Sequence, residues 1–115
     1  MPADGALDYI ELPGPDIPAT KKFYGSLFGW TFTDFGPDYV AFETRDGRQG
    51  GFNAERKVVP TGGPLVVLYA NDLDAMENSV RKAGAEIISR ESFEGGRRFH
   101  FRDPNGNEIA VWTKM

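Results

Sequence analysis

Histidine occurs once in this sequence of 115 residues, at His100, and cysteine does not occur. Disulfides and thiol chemistry are therefore excluded, and no site built from several imidazoles can form. The groups left to move protons are that imidazole and the carboxylates. Glu11 is the sharpest of these. It follows Tyr9 in Tyr9-Ile10-Glu11-Leu12, and a carboxylate in aromatic surroundings can take or give a proton near neutral pH. An imidazole works in the same range, so His100 is the natural partner. Each residue also has a plainer reading. Glu11 can be satisfied by a backbone amide or by an arginine such as Arg98. His100 can be a half-buried strand residue bonded to a neighbour.

The elements that must position these residues follow an alternating pattern that occurs twice. Leu7 to Leu12 reads as a strand, with Ile10 and Leu12 on one face and Tyr9 and Glu11 on the other. Asp16 reads as an N-cap and Pro18 falls in the first helical turn, where its missing N–H costs little. Ala19, Phe23 and Leu27, widened by Tyr24 and Phe28, form an apolar helical stripe that ends at Gly29. Three strands are expected next, over Trp30 to Phe35, Tyr39 to Thr44 and Arg48 to Asn53. Gly36-Pro37 and Asp46-Gly47 supply the turns. Phe23, Tyr24, Phe28 and Trp30 are read as core.

Residues 55–63 read as a linker. The apolar run Leu65 to Ala70 then predicts a strand covered on both faces. Asp72 is a second N-cap. Leu73, Met76, Val80 and Ala83 recur at helical spacing, and Gly84 is the stop. Strands follow over Glu86 to Arg90, Arg98 to Arg102 and Glu108 to Trp112, with turns at Gly95-Gly96 and Asn105-Gly106. Laid on each other, the halves match Asp46-Gly47 with Asn105-Gly106, Val40 with Phe99 and Phe42 with Phe101. This is an internal duplication in element order. Its length suits a single domain: module one at about 6–54, linker 55–63, and module two at about 64–113.

The net charge of -4 sets a negative field that repels phosphate backbones, so no nucleic-acid partner is expected and a cationic ligand is mildly favoured. No apolar run approaches the roughly 20 residues that cross a bilayer, so no membrane partner is expected. The start, Met1 to Gly5, lacks a basic stretch and an apolar core, so no secretory signal is expected. With cysteine absent, the expectation is a cytoplasmic protein.

Four stretches carry a family resemblance. They are Tyr9-Ile10-Glu11-Leu12, Phe23-Tyr24-Gly25-Ser26-Leu27-Phe28-Gly29-Trp30, Asn71-Asp72-Leu73-Asp74, and Phe101-Arg102-Asp103-Pro104-Asn105-Gly106-Asn107. In this order they resemble the vicinal oxygen chelate superfamily of glyoxalases, bleomycin-resistance proteins and extradiol dioxygenases, and most of all its small bacterial glyoxalase-like members. The resemblance implies an α+β fold of two tandem βαβββ modules. These would form a curved mixed sheet around a cleft, with helices on the outer face. It also implies metal-ligand positions on the first and last strands of each module. Carried over, these are Tyr9 and Leu65, each seven residues before its helix cap, and Gly51 and Ala110, each four residues after its turn glycine.

Three of those four side chains cannot bind a metal, and a phenol alone is a poor anchor. No cofactor and no divalent metal are therefore expected. A metal site drawing on Glu11, Glu108 and His100 is conceivable, and an all-oxygen site fed by the two carboxylates would be its weakest form. The expected cleft-facing set is Tyr9, Glu11, Tyr39, Gly51, Asn53, Leu65, Val67, Tyr69, His100, Glu108, Ala110 and Trp112. Aromatic and apolar groups with a few polar ones make a small-molecule pocket. Gly51 and Ala110 either enlarge that pocket or merely admit a packed neighbour.

The leading expectation is a glyoxalase/bleomycin-resistance-like protein that binds a small organic molecule without a metal. The alternatives are a metal-free lyase or isomerase using Glu11 or His100 as acid or base, a glyoxalase-type metal-dependent lyase, and a structural protein that has kept only the fold. A homodimer is expected because sheet edges need covering. The linker permits the cleft to close within one chain or between two.

Overall fold

The computed structural model describes residues 3–115. The chain divides into two compact units, Met1–Val58 and Val59–Met115. In the first, β1 (Ile10–Pro13) leads to α1 (Ile17–Phe28), then β2 (Thr31–Asp34), β3 (Tyr39–Glu43) and β4 (Gln49–Asn53). In the second, β5 (Val66–Tyr69) leads to α2 (Leu73–Lys82), then β6 (Ile87–Phe93), β7 (Gly96–Arg102) and β8 (Glu108–Lys114). The sheets run β1-β4-β3-β2 and β5-β8-β7-β6. In each, the first strand is parallel to the last and the other pairings are antiparallel. The fold is α+β, built from two tandem βαβββ modules.

Local chemistry explains the helix ends. The Asp16 carboxylate accepts from Ala19 N–H at 3.1 Å, and Asp72 does the same for Ala75 N–H at 3.0 Å. Each satisfies one orphan donor and contributes about 1 kcal/mol. Gly29 closes α1 with φ 71°, a left-handed conformation that costs glycine no Cβ clash. Past α2, Gly84 turns the chain at φ 93°.

The duplication extends to the strand register. Glu11, Gly51 and Ala41 lie abreast on β1, β4 and β3. Val67, Ala110 and His100 lie abreast on β5, β8 and β7. Turn chemistry is duplicated too: Thr44 Oγ1 accepts from Arg48 N–H at 3.0 Å, as Asp103 Oδ1 accepts from Asn107 N–H at 2.9 Å. Asp103 is buried and also holds Asn105 N–H and Asn107 Nδ2. Its motif is thus a conformational device.

Each sheet buries one face beside its helix. In the first unit Tyr24, Trp30 and Phe42 stack with centroids 4.7 and 4.4 Å apart, and Tyr24 also meets Phe52. In the second, Val80 joins Phe99, Phe101, Ile109 and Val111 in the core. Full burial of side chains this size stabilises by roughly 1.5–3 kcal/mol each.

Several expected boundaries need correction. The first strand starts at Ile10 and runs on through Pro13. Proline is tolerated there because β1 ends the sheet. Ala83 is the exposed C-cap of α2 and not part of its buried stripe. β6 continues to Phe93 and β7 begins at Gly96, so the hairpin turns at Glu94-Gly95. Leu65 falls just before β5, and that strand is not covered on both faces. Val67 and Tyr69 are each 42% exposed because the helix lies on the other side.

Candidate functional site

Strand alternation places the candidate residues on the helix-free face of each sheet, opposite the core. In the first unit this face carries Tyr9, Glu11, Tyr39, Gly51 and Asn53. Tyr9 approaches from the strand entry and Tyr39 from the start of β3, and their hydroxyls meet at 2.7 Å. They meet over Gly51. A Cβ there would lie 2.6 Å from the Tyr9 hydroxyl and closer still to that of Tyr39. The space freed at Gly51 is thus filled by two phenols.

Tyr39 also lies near the Glu11 carboxylate. Desolvation, then the bond to Tyr9 and the nearby Glu11 charge, push its phenol well above the ordinary value of 10.0. Glu11 Oε2 accepts from Asn53 Nδ2 at 3.4 Å and faces an Arg56 guanidinium nitrogen at 3.6 Å. The arginine beside Glu11 is therefore Arg56. Arg98 instead pairs with Glu91. Sequence reasoning missed Arg56 because it lies in the linker, where strand periodicity gives no bearing on direction.

In the second unit the equivalent face carries Val67, Tyr69, His100, Glu108, Ala110 and Trp112, with Leu65 just ahead of β5. His100 Nδ1 lies 2.6 Å from Glu108 Oε2. With Glu108 accepting, Nδ1 carries the hydrogen of this bond. Nε2 is buried without a hydrogen-bond partner, 3.4 Å from Glu91 Oε1. Glu91 is held below the usual carboxylate range, first by its bond to Arg98 and also by His100. Trp112 meets Tyr69 edge-on at 5.2 Å and Phe93 at 6.4 Å. Tyr69 and Phe93 are both about two-fifths exposed. Glu91 and Phe93 were not anticipated, since β6 was expected to end at Arg90. Ser89, Glu91 and Phe93 alternate like a strand face, and that signal was available.

The model of the glyoxalase/bleomycin resistance protein/dioxygenase superfamily matches residues 6–111. The chain belongs to this superfamily. Among relatives of this glyoxalase-superfamily chain, the anthracycline biosynthesis protein DauV of Streptomyces sp. (strain C5) is 31% identical over 97% of the chain. The chain spans about half the length of that relative, 48%. TnmS3, an antibiotic binding protein from Streptomyces sp. CB03234, superposes with a TM-score of 0.73 at 19% identity, covering 100% of both chains. Lactoylglutathione lyase from Agrobacterium tumefaciens superposes with a TM-score of 0.75 at 18% identity, covering 96% of this chain and 95% of its own. At these identities the two structures speak for the fold alone.

Metal-using members of the superfamily raise the question of fit. The four matching positions are Tyr9, Gly51, Leu65 and Ala110, which offer a single phenol as donor. Ala110 is fully buried, and the space at Gly51 is filled. Among the described residues no group of three or more His, Cys, Asp or Glu side chains is gathered to hold an ion. Glu11 is engaged with Asn53 and Arg56, and Glu108 with His100. These residues do not fit a divalent ion. Nor, among the described residues, is any helix long and apolar enough to cross a membrane.

Proposed function

We propose that this protein binds a small planar aromatic molecule on the helix-free face of its second sheet, with no metal or other cofactor. One observation carries this reading: Tyr69, Phe93 and Trp112 leave aromatic surface exposed around one another on a face that also holds His100 and Glu108. Aromatic rings stack on or edge against such a surface, at about 0.5–1.5 kcal/mol per pair beyond area burial. Two comparisons agree with this choice of ligand. DauV is named for anthracycline biosynthesis, and TnmS3 for antibiotic binding. Calorimetric titration with an anthracycline tests the proposal. Micromolar binding that weakens about tenfold in Trp112→Leu supports it. No binding tighter than millimolar across a panel of planar aromatics would sink it.

A second reading, a metal-free lyase or isomerase, is favoured by His100 and Glu11. Glu108 orients the imidazole through Nδ1, and Glu11 stands near the paired hydroxyls of Tyr9 and Tyr39. Turnover of a small carbonyl compound that is lost in Glu11→Gln or His100→Gln, with the melting temperature kept, would establish it. Undiminished turnover in both variants removes it.

The reading includes a cytoplasmic homodimer. The first sheet ends on β1 and β2 and the second on β5 and β6, and strand edges of this kind are commonly covered by two-fold pairing. A monomer mass in sedimentation at micromolar concentration would count against the dimer.

A further inference from the structure

Glu91, Arg98, Trp112 and Tyr69 are register partners in turn, and they form one row across β6, β7, β8 and β5 on the helix-free face. The row passes from a carboxylate through a guanidinium to two aromatic rings. Glu91 accepts the Arg98 Nε hydrogen. A guanidinium only donates, so the direction of this bond is fixed. The terminal nitrogens Nη1 and Nη2 bond none of the described residues. They also reach solvent, because His100 Nε2 is the sole buried side-chain nitrogen or oxygen without a partner among the described residues. Arg98 is thus held at one corner, its side chain 32% exposed, with its outer fork open. Arg102 on the same strand differs, since its Nη1 is spent on the carbonyl oxygens of Pro60 and Gly106.

Charge on this face runs against the chain as a whole. Strand alternation sets Arg98, Arg102 and Lys114 against Glu91 and Glu108, whereas the whole sequence carries a net charge of -4. Glu91 is already paired with Arg98, and Glu108 is turned to His100. A carboxylate matches an open guanidinium fork through two parallel charge-assisted bonds. Neighbouring strands lie about 4.8 Å apart, so a ring resting on Trp112 brings a carboxyl group on its edge to Arg98.

We infer that Arg98 is an anion subsite beside the aromatic surface and selects planar aromatic molecules that carry a carboxylate. The inference rests on the aromatic reading of this face: Trp112 and Tyr69 take the ring, Arg98 takes the carboxylate, and Glu91 positions Arg98 by holding Nε.

The test compares 2-naphthoate, 2-naphthamide and 2-naphthylmethylammonium, which share a ring system and differ in charge. Each is measured by equilibrium dialysis at pH 7 against the full chain. The wild type should bind the carboxylate about tenfold more tightly than the amide, and the ammonium less tightly than either. Arg98→Gln should bring the carboxylate-to-amide ratio to about one and leave the amide's affinity in place. Arg98→Lys keeps the charge without the fork, so the ratio should fall to about three. Trp112→Leu should weaken carboxylate and amide alike and keep their ratio. Thermal melts check that each variant is folded, and the comparison of probes on the wild type needs no variant. Equal wild-type affinities for carboxylate and amide overturn the anion subsite and leave aromatic binding standing. So does an ammonium that binds as tightly as the carboxylate. A preference that survives Arg98→Gln also overturns it, because the anion would then sit on Arg102 or Lys114. Failure of all three probes to bind the wild type overturns both readings.

Discussion

Gly50 and Gly51 are neighbours on β4 but face opposite ways, and a methyl group has a different consequence at each. At Gly50 it would press into the Ile10 carbonyl oxygen and the Phe42 ring, which belong to a paired backbone and a packed core. Gly50→Ala should therefore cost about 3 kcal/mol, read as a lower urea midpoint. At Gly51 the obstructing atoms are the far ends of two tyrosines that can swing away. Gly51→Ala should cost less than about 1 kcal/mol while separating the hydroxyls. His100 offers a second test at this scale, because a single imidazole gives unambiguous nitrogen resonances. The neutral ring should carry its hydrogen on Nδ1, bonded to Glu108. In Glu108→Ala the hydrogen should move to Nε2, beside Glu91. An unchanged tautomer in long-range proton–nitrogen spectra would contradict the pairing. Sequence reasoning reached Glu11, Tyr9 and Tyr39 individually through their alternation. It did not reach their bonding, since Tyr9 and Tyr39 stand 30 positions apart and nothing local encodes which hydroxyl meets which.

The elements were more legible than their ends. Asp16, Asp72, Gly29, Asp46-Gly47 and Asn105-Gly106 act within a few residues of themselves, so their types announce caps and turns directly. Strand length depends on the partner. β6 runs on to Phe93 because β7 continues to pair with it, past a register shift between Ile87 and Ser89 that breaks its alternation. A tie between elements gives a prediction in pH. Glu77 on α2 binds Arg90 on β6 through both oxygens, at 2.9 and 2.6 Å. That bond, with the charges of Arg90 and Arg81, holds its carboxyl below the ordinary 4.5. A depressed carboxyl contributes stability that is fully present above the unfolded value and lost as pH falls through the folded one. Arg90 is more than half exposed, which limits the contribution to about 1 kcal/mol. Glu77→Gln should be less stable than the parent at pH 7, with the gap closing as pH drops below about 4.5. A constant gap from pH 7 to pH 3 would show that the tie acts through packing and not charge.

Across the whole molecule, each unit carries one tryptophan in a different setting. Trp30 is buried in the ring stack of the first, and Trp112 is half-buried on the open face of the second. A planar aromatic ligand on the second sheet should therefore quench Trp112 and leave Trp30 unaffected. Trp30→Phe should keep the quenching response and Trp112→Phe should abolish it. The reverse pattern would place the ligand elsewhere. The duplication itself was legible, because caps and turn glycines recur at matching intervals. What each copy does was not, since the register rows that agree in position differ in content. Where the second sheet sets His100, the first sets Ala41, and where one has Val67 the other has Glu11. One architectural plan executed twice gives 115 residues two open sheet faces. Each can mutate toward its own chemistry while the backbone geometry that both inherit stays fixed.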